Sequence, residues 1–359
     1  MARKFKIDEG KHLILCSGKS YGTGDFFSDS NIAEKFINGV KNAARFSNIS
    51  ICSYALFENE FMLLLRQHHE EDVSDEVLLT RIRDKVSDDK YKRILEELKQ
   101  ENKHEVMIDL RKHYLHRMNN IPEFMKMIKS PFACWYNGYI SQGEEFRRDG
   151  RLWGNVAKRV AVEDTFETAR IISAYIDLTP LRKKLVTKLK DYKYTNFSAA
   201  LNGDITARQN LIELFQYYEN GNKMPEKELV NRELKSNWNK YAEDYQKFLF
   251  AETEIIIDKD GKKRKGISKE RFSEATAVRS RKKLTLGEAI HCNARYFTDC
   301  QVFGSKDFCE NYFKTQPHMF SEARKSGSCP MAKIKTDLCT VRSIQKNALK
   351  PPDYLDMEK

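Results

Sequence analysis

Two apolar runs, Ile49-Ser50-Ile51-Cys52-Ser53-Tyr54-Ala55-Leu56 and Phe61-Met62-Leu63-Leu64-Leu65, stand on either side of the turn-forming pair Glu58-Asn59. Each is too short for a helix and rich in residues that favour strands, so the pair predicts an antiparallel hairpin. Upstream, the apolar run 12–16 reads as a buried strand ended by the Gly/Ser-rich stretch 17–24. Asn31 with Glu34 three residues on forms a candidate helix cap, after which Ile32, Phe36, Ile37, Val40 and Ala44 share one helical face. Strand, helix, strand, strand is an α+β beginning: an antiparallel sheet with helices packed on one side.

Downstream, residues 72–103 are highly charged, with leucine at helical spacing, which predicts a helical excursion from the sheet that continues to about residue 139. Pro122 and Pro131 are expected to start or break helices there. The polar, basic stretch 143–150 reads as a loop, 152–162 as a further strand, and 165–178 as a helix with Phe166, Ala169, Ile172 and Ile176 on its apolar side, ended by Thr179-Pro180. After Gly203 the chain reads as helical to about residue 250. A helix-turn-helix candidate follows, with helices at 286–297 and 305–313 and Gly304 in the turn. The expected division is a first domain at 1–204 with a helical insertion at about 70–120, a helical segment at 205–260, a basic linker at 261–284, and a C-terminal helix-turn-helix-like region at 285–359.

With 359 residues and 40% apolar content, the chain can bury a sizeable core. It has no apolar run of the roughly 18 residues that span a bilayer and no signal-peptide pattern, so the expectation is a cytoplasmic protein without a membrane partner. Eight cysteines form no C-x-x-C pair and have no zinc-finger histidine beside them, which reads as reduced thiols. Lys plus Arg exceeds Asp plus Glu by 63 − 52 = 11. The densest basic cluster, 262–283, holds ten Lys or Arg against Glu270 and Glu274. A polyanion is the partner such a balance suits, although a solvated linker has the same composition.

The middle of the chain carries an ordered series: Phe124-Met125-Lys126, Phe132-Ala133-Cys134-Trp135-Tyr136-Asn137, Gly150-Arg151-Leu152-Trp153, Val162-Glu163-Asp164, Ala174-Tyr175-Ile176-Asp177-Leu178-Thr179-Pro180-Leu181-Arg182 and Asp191-Tyr192-Lys193-Tyr194. A C-terminal block, Arg295-Tyr296-Phe297-Thr298-Asp299 and then Gly304-Ser305-Lys306-Asp307-Phe308, completes it. In order and spacing these resemble the REP-associated tyrosine transposases, single-tyrosine enzymes of the HUH type that act in DNA transposition. The resemblance implies a ferredoxin-like antiparallel sheet with packed helices, followed by a mainly helical C-terminal region. It also implies a chemistry in which two histidines in a His-hydrophobe-His strand hold Mg²⁺ or Mn²⁺ on the scissile phosphate. A helix-borne tyrosine then attacks and becomes joined to the DNA 5′ end.

The nucleophile position falls on Tyr175. The two histidine positions fall on Glu60 and Met62, and the position of a third ligand, one helical turn after the tyrosine, on Thr179. A carboxylate can hold a hard cation, but a thioether suits Mg²⁺ or Mn²⁺ poorly, so the expectation is that no metal is bound and strand cleavage is impaired. His68, His69, His113 and His116 offer no evident replacement. Two further positions depart from the family pattern, Val156 and Cys16 standing where the family has arginine.

DNA binding needs many weak phosphate contacts and tolerates drift better than a metal site. The resemblance puts contacts to hairpin or single-stranded DNA on Arg147, Arg148, Arg151, Trp153, Lys158, Arg159, Arg182, Lys183 and Lys184, with Arg295 and Lys306 added in the C-terminal block. Relatives occur as dimers and as monomers, so a homodimer is one expected state. The readings to be separated are a transposase-like DNA-binding protein with impaired cleavage, an active transposase forming a 5′-phosphotyrosine intermediate, and an RNA-binding or interaction protein that reuses the fold.

Overall fold

A computed structural model of the chain describes residues 12–21, 25–68, 73–100, 102–140, 151–154, 157–257, 260–277, 281–341 and 348–355. Strand β1 (His12–Lys19) leads to helix α1 (Ser30–Ser47), then β2 (Ile49–Phe57) and β3 (Glu60–Gln67). The cap of α1 is Asp29, two residues before the expected Asn31, and its carboxylate accepts the Asn31 and Ile32 N–H groups. Glu58 takes a left-handed φ of 49° at the β2–β3 turn, where the Phe27 N–H donates to its carbonyl at 2.8 Å.

Helices α2 (Asp75–Lys85), α3 (Asp88–Glu97) and α4 (Lys103–Tyr114) form an excursion with a small core of its own, in which Leu78, Ile82, Ile94, Met107 and Tyr114 gather around Phe46 of α1. Helix α5 (Ile121–Ile140) then returns to the sheet. Pro131 lies inside it and does not break it, contrary to expectation. The lost hydrogen bond and ring clash of about 3 kcal/mol are offset by the buried stripe Phe124, Met125, Ile128 and Phe132 packed into the core.

Strand β4 (Lys158–Glu163) pairs with β1, giving the order β2-β3-β1-β4, all antiparallel, of a ferredoxin-like sheet. Helices cover both faces, not one. Phe61 of β3 turns to α1 and α5, where the rings of Phe36 and Trp153 meet it and Phe132 packs on both of those. The alternate residues of β3 turn to the other face, built by α6 (Phe166–Asp177), α7 (Thr179–Arg182), α8 (Asn196–Leu201), α9 (Ile205–Glu219), α10 (Lys227–Ser236) and α11 (Trp238–Phe250). There Arg66 forms a two-pronged pair with Asp164, donates to the Tyr218 hydroxyl of α9 and lies 3.5 Å over the Tyr217 ring.

The basic stretch is not a linker. Strands β5 (Glu254–Ile257) and β6 (Lys263–Gly266) pair as a hairpin, and α12 (Lys269–Thr276) buries Phe272 and Ala275 against Ile267, Leu284 and Cys292. Among the described residues, Lys263, Arg264, Lys265, Lys269 and Arg271 lie on folded elements. Arg271, for example, is paired with Glu288 at 2.5 Å and caps the Lys283 carbonyl.

The C-terminal region departs from the helix-turn-helix expectation. The predicted first helix is two short ones, α13 (Leu286–Ile290) and α14 (Arg295–Thr298), separated by β7 (Asn293–Ala294), which pairs with β11 (Leu349–Lys350). The predicted turn is β8 (Val302–Gly304), which joins the main sheet parallel to β4 before α15 (Lys306–Thr315) begins. Glycine fits at 304 because a Cβ there would lie 2.7 Å from the Glu163 Cβ. Strands β9 (Cys329–Pro330) and β10 (Cys339–Thr340) complete a seven-stranded sheet, which is therefore mixed, not wholly antiparallel. The chain is an α+β protein, and among the described residues no helix is long and apolar enough to cross a membrane.

Candidate functional site

The site is set by register. Met62 pairs with Ala55 on one side and Ser17 on the other, and Ser17 pairs with Lys158, so Ala55, Met62, Ser17 and Lys158 form one row across the sheet on its α6 face. Ala55 and Ser53 reach this face because the β2–β3 register shifts between Ile51 and Ser53, leaving Cys52 as a bulge. Helix α6 starts at a capping box on Thr165 and runs back over this face. Asp177 at its end accepts from the Phe197 N–H at 2.8 Å, the Tyr245 hydroxyl at 2.9 Å and the Ser53 hydroxyl at 3.3 Å. Six residues on, Lys183 pairs with Glu58 at the hairpin tip, 3.7 Å away. Between those two anchors the chain crosses the Ala55–Met62 row, so the tyrosine-bearing helix and positions 60 and 62 lie on one face of the sheet.

Tyr175 is only 5% exposed. The Phe297 ring of α14 packs on it, with centroids 4.9 Å apart, and the Arg182 guanidinium lies 3.8 Å from its ring centre. Burial pushes its phenol above the usual tyrosine range, against the pull of the Arg182 charge. A raised phenol covered by a phenylalanine is not placed to attack a phosphodiester from solvent. Arg182 is itself 1% exposed: it donates to the Ile290 carbonyl at 2.9 Å and to the Thr179 hydroxyl at 2.8 Å. Placed at the C-terminal end of α13, it meets the negative end of that helix and fastens the C-terminal region over Tyr175.

The three positions implied as metal ligands do not make a donor set for a hard cation. Glu60 is engaged by Lys19 at 3.1 Å, Met62 offers a buried thioether, and the Thr179 hydroxyl donates to the Tyr175 carbonyl at 3.3 Å while accepting from Arg182. Among the described residues, no three His, Cys, Asp or Glu side chains stand where they could share a metal ion. His68 is bonded to Ser50 at 2.9 Å, at the far end of β2 from Ala55, and His113 and His116 belong to the helical excursion. His69 and Val156 lie outside the described residues.

The residues expected at a DNA surface separate into groups. Trp153 is 8% exposed, boxed by Phe26, Phe36, Phe61 and Phe132, with its indole N–H donating to the Lys129 carbonyl at 2.9 Å. It is core, and like the buried Arg182 it offers no face to a base or phosphate. Lys183 and Lys184 are half-buried and paired with acids, Lys183 with Glu58 and Asp353 and Lys184 with Asp260. Lys306 is exposed but stands at the opposite end of β4, where Ser305 donates to the Glu163 carboxylate. Arg159 projects to the α1 face, in the row of Cys16 and Leu63. Arg147 and Arg148 lie outside the described residues.

Arg151, Lys158 and Arg295 remain: Lys158 and Arg295 meet at one end of the sheet, and Arg151 is exposed on the segment that flanks the end of β1. Lys158 and Arg295 both pair with Asp299, at 3.0 Å and 2.5 Å. Burial works against the Asp299 charge, but these two cations hold its carboxyl below the usual range. Asp299 also acts electrostatically on Tyr175, which ties this rim to the tyrosine. Lys19 and Tyr21, missed in the sequence because 17–24 reads as a loop, join the same rim. The strand runs to Lys19, and the 151–154 segment continues the sheet beside it through the Ser20–Trp153 bridge, with the Gly154 N–H donating to the Lys19 carbonyl and the Tyr21 N–H to the Leu152 carbonyl, both at 2.8 Å.

No family model matches the sequence, and no curated protein matches it. Among solved structures, the chain is similar to a REP-associated tyrosine transposase bound to a REP hairpin, at a TM-score of 0.32 and 10% sequence identity, over 56% of this chain and 87% of that one. Superposition at that level fixes neither the role of a residue nor the activity of the chain.

What the rim can do follows from its own residues. Lys19, Arg151, Lys158 and Arg295 stand against Glu60 and Asp299, a local excess of two positive charges on a chain whose net charge is +11. A phosphate backbone crossing it meets ammonium and guanidinium groups at the edge of a rigid sheet.

Proposed function

We propose that this chain is a transposase-like DNA-binding protein that holds structured or single-stranded DNA at the cationic end of its sheet and does not cleave it. The observation that carries the reading is the position of Lys158 and Arg295 around Asp299, beside a tyrosine that is closed off: cations able to grip a phosphate backbone stand next to a nucleophile position without access. The ordered motifs from 124 to 194 support descent from the transposase pattern, and the +11 balance supports a polyanionic partner. The donor set at 60, 62 and 179 supports the absence of a catalytic metal.

Fluorescence anisotropy with the full chain tests the binding half. A labelled DNA hairpin with a short single-stranded tail is titrated at several salt concentrations, against a plain duplex and against heparin as an unrelated polyanion. The expected result is salt-sensitive binding that prefers the tailed hairpin. Equal affinity for all three polyanions, or a preference for an RNA hairpin of the same sequence, removes the DNA reading.

A further inference from the structure

Strands β5 and β6 form a two-stranded ribbon whose two faces differ. The register sets Glu254 opposite Gly266 and Ile256 opposite Arg264 on one face, and Ile255 opposite Lys265 and Ile257 opposite Lys263 on the other. The first face lies against the body of the protein. Arg264 is buried with its guanidinium 4.9 Å over the Tyr354 ring, the Ile267 N–H donates to the Tyr354 hydroxyl at 3.1 Å, and a Cβ at Gly266 would run into that hydroxyl. Beside the turn, Asp260 pairs with Lys184 at 2.8 Å. The ribbon is thus fastened at both ends, and its second face is left to solvent: Ile255 is 73% and Ile257 67% exposed, and Lys263 and Lys265 are exposed beside them.

A single exposed isoleucine needs no explanation, but two that adjoin on one face of an anchored strand, with a lysine opposite each, make an apolar strip with a basic border. The border says what covers the strip. Among the described residues neither lysine is paired with a carboxylate, and Lys265 is held only over the Phe250 ring, 5.4 Å away. The fitting partner carries anions with apolar surface between them, and the major groove of duplex DNA does so: thymine methyl groups lie on its floor and phosphates along its walls. At about 12 Å wide it admits a two-stranded ribbon, whose strands stand about 4.8 Å apart. A second copy of the chain would instead meet a like charge of +11. The ribbon is also well placed. The consecutive residues Lys183 and Lys184 reach Glu58 at the β2–β3 tip and Asp260 at the ribbon turn, and that tip is the end of the main sheet where Glu60 pairs with Lys19.

We infer that the β5–β6 ribbon docks in the major groove of a DNA stem, with Lys263 and Lys265 on the phosphates of one wall and Ile255 and Ile257 on the base edges of the floor. This rests on the DNA-binding reading above and deepens it: the substrate class becomes DNA with a paired stem, gripped by the ribbon, next to the segment that crosses the cationic end of the sheet.

The test uses the full chain and two double variants, Lys263→Gln with Lys265→Gln and Ile255→Gln with Ile257→Gln, titrated against an untailed DNA hairpin and an unstructured single strand. All four side chains are exposed, so both variants should unfold in urea at the wild-type midpoint. The lysine pair should lower the slope of log K against log salt for the hairpin by about 2, at about 0.9 per lost duplex contact, and the isoleucine pair should weaken hairpin binding about tenfold at unchanged slope. Neither pair should alter binding of the single strand. In the wild-type complex, dimethyl sulfate should find guanine N7 in the major groove protected and adenine N3 in the minor groove open. Variants that bind the hairpin as wild type does, variants that lose hairpin and single strand equally, or protection of adenine N3 alone overturn the inference. So does a wild-type dimer in sedimentation that the isoleucine pair dissociates without weakening hairpin binding, which gives the face to a second copy. Wild-type protein that binds the single strand and no stem overturns the ribbon while leaving DNA binding standing, and wild-type protein that binds no DNA at low salt overturns both.

Discussion

Asp177 gives a quantitative test of how the tyrosine-bearing helix is held. Its carboxylate is buried between β2, α8 and α11, and burial pushes it up to about 7 although the Phe197 N–H and the Tyr245 and Ser53 hydroxyls all favour its charged form. In the unfolded chain an aspartate titrates near 3.9. The folded state therefore binds the extra proton between about pH 4 and pH 7, so stability from this group is greatest in acid and falls as pH rises through that window. Linkage with these two values gives a loss of about 2.5 kcal/mol between pH 5 and pH 8. Asp177→Asn keeps the shape and an acceptor for the Phe197 N–H, and the two hydroxyls can rotate to accept from its amide. The variant should lack this pH dependence. Urea unfolding of both proteins at pH 5 and pH 8 should show the stability difference, variant minus wild type, rising by about 2.5 kcal/mol from the lower to the higher pH. A difference that stays constant between the two pH values refutes the argument, because Asp177 would then be ionised throughout in the folded protein.

Three further outcomes follow from the same geometry. Replacing Lys19, Arg151 and Lys158 together by Gln should lower the slope of log K against log salt for single-stranded DNA by about 2, from about 0.7 per lost phosphate contact, whereas Lys306→Gln at the far end of the sheet should leave it unchanged. Trp153→Ala should cost about 3–5 kcal/mol of stability in denaturant melts and leave the DNA affinity of the remaining folded protein unaltered, reflecting a ring in the core and not on the DNA. Nitration by tetranitromethane followed by peptide mass spectrometry should modify Tyr21 in the native protein and spare Tyr175 until urea is added; equal modification of the two would show that Phe297 and Arg182 do not cover Tyr175.

The parts of the fold legible in the sequence were those with a clear period. The β2–β3 hairpin announced itself by two apolar runs around Glu58-Asn59, and α6 by Phe166, Ala169, Ile172 and Ile176 at helical spacing. What failed was short or set by tertiary contact. Strands β8, β9 and β10 have two or three residues each, too few to show alternation, and the pairing of β8 with β4 across about 140 residues has no local signature. The basic stretch looked like a linker because charge composition is blind to its alternate residues: Arg264, Ile267 and Phe272 are buried. At the site, the motif around Tyr175 was readable as a pattern, but residues 174–182 are all buried, so the pattern records packing as much as chemistry. Trp153 shows the same limit. An aromatic beside basic residues reads alike whether its ring faces solvent or the core, and only the Ser20–Trp153 bridge, which turns it inward and leaves Tyr21 outside, decides between them.

The central claim is that this chain grips DNA without cutting it, and the most direct measurement is a covalent-trapping assay. The full chain is incubated with a tailed DNA hairpin and Mn²⁺ and run on a denaturing gel, with anisotropy on the same mixture. The account predicts salt-sensitive binding and no denaturant-resistant protein–DNA adduct; an adduct that forms with wild type and disappears in Tyr175→Phe contradicts it.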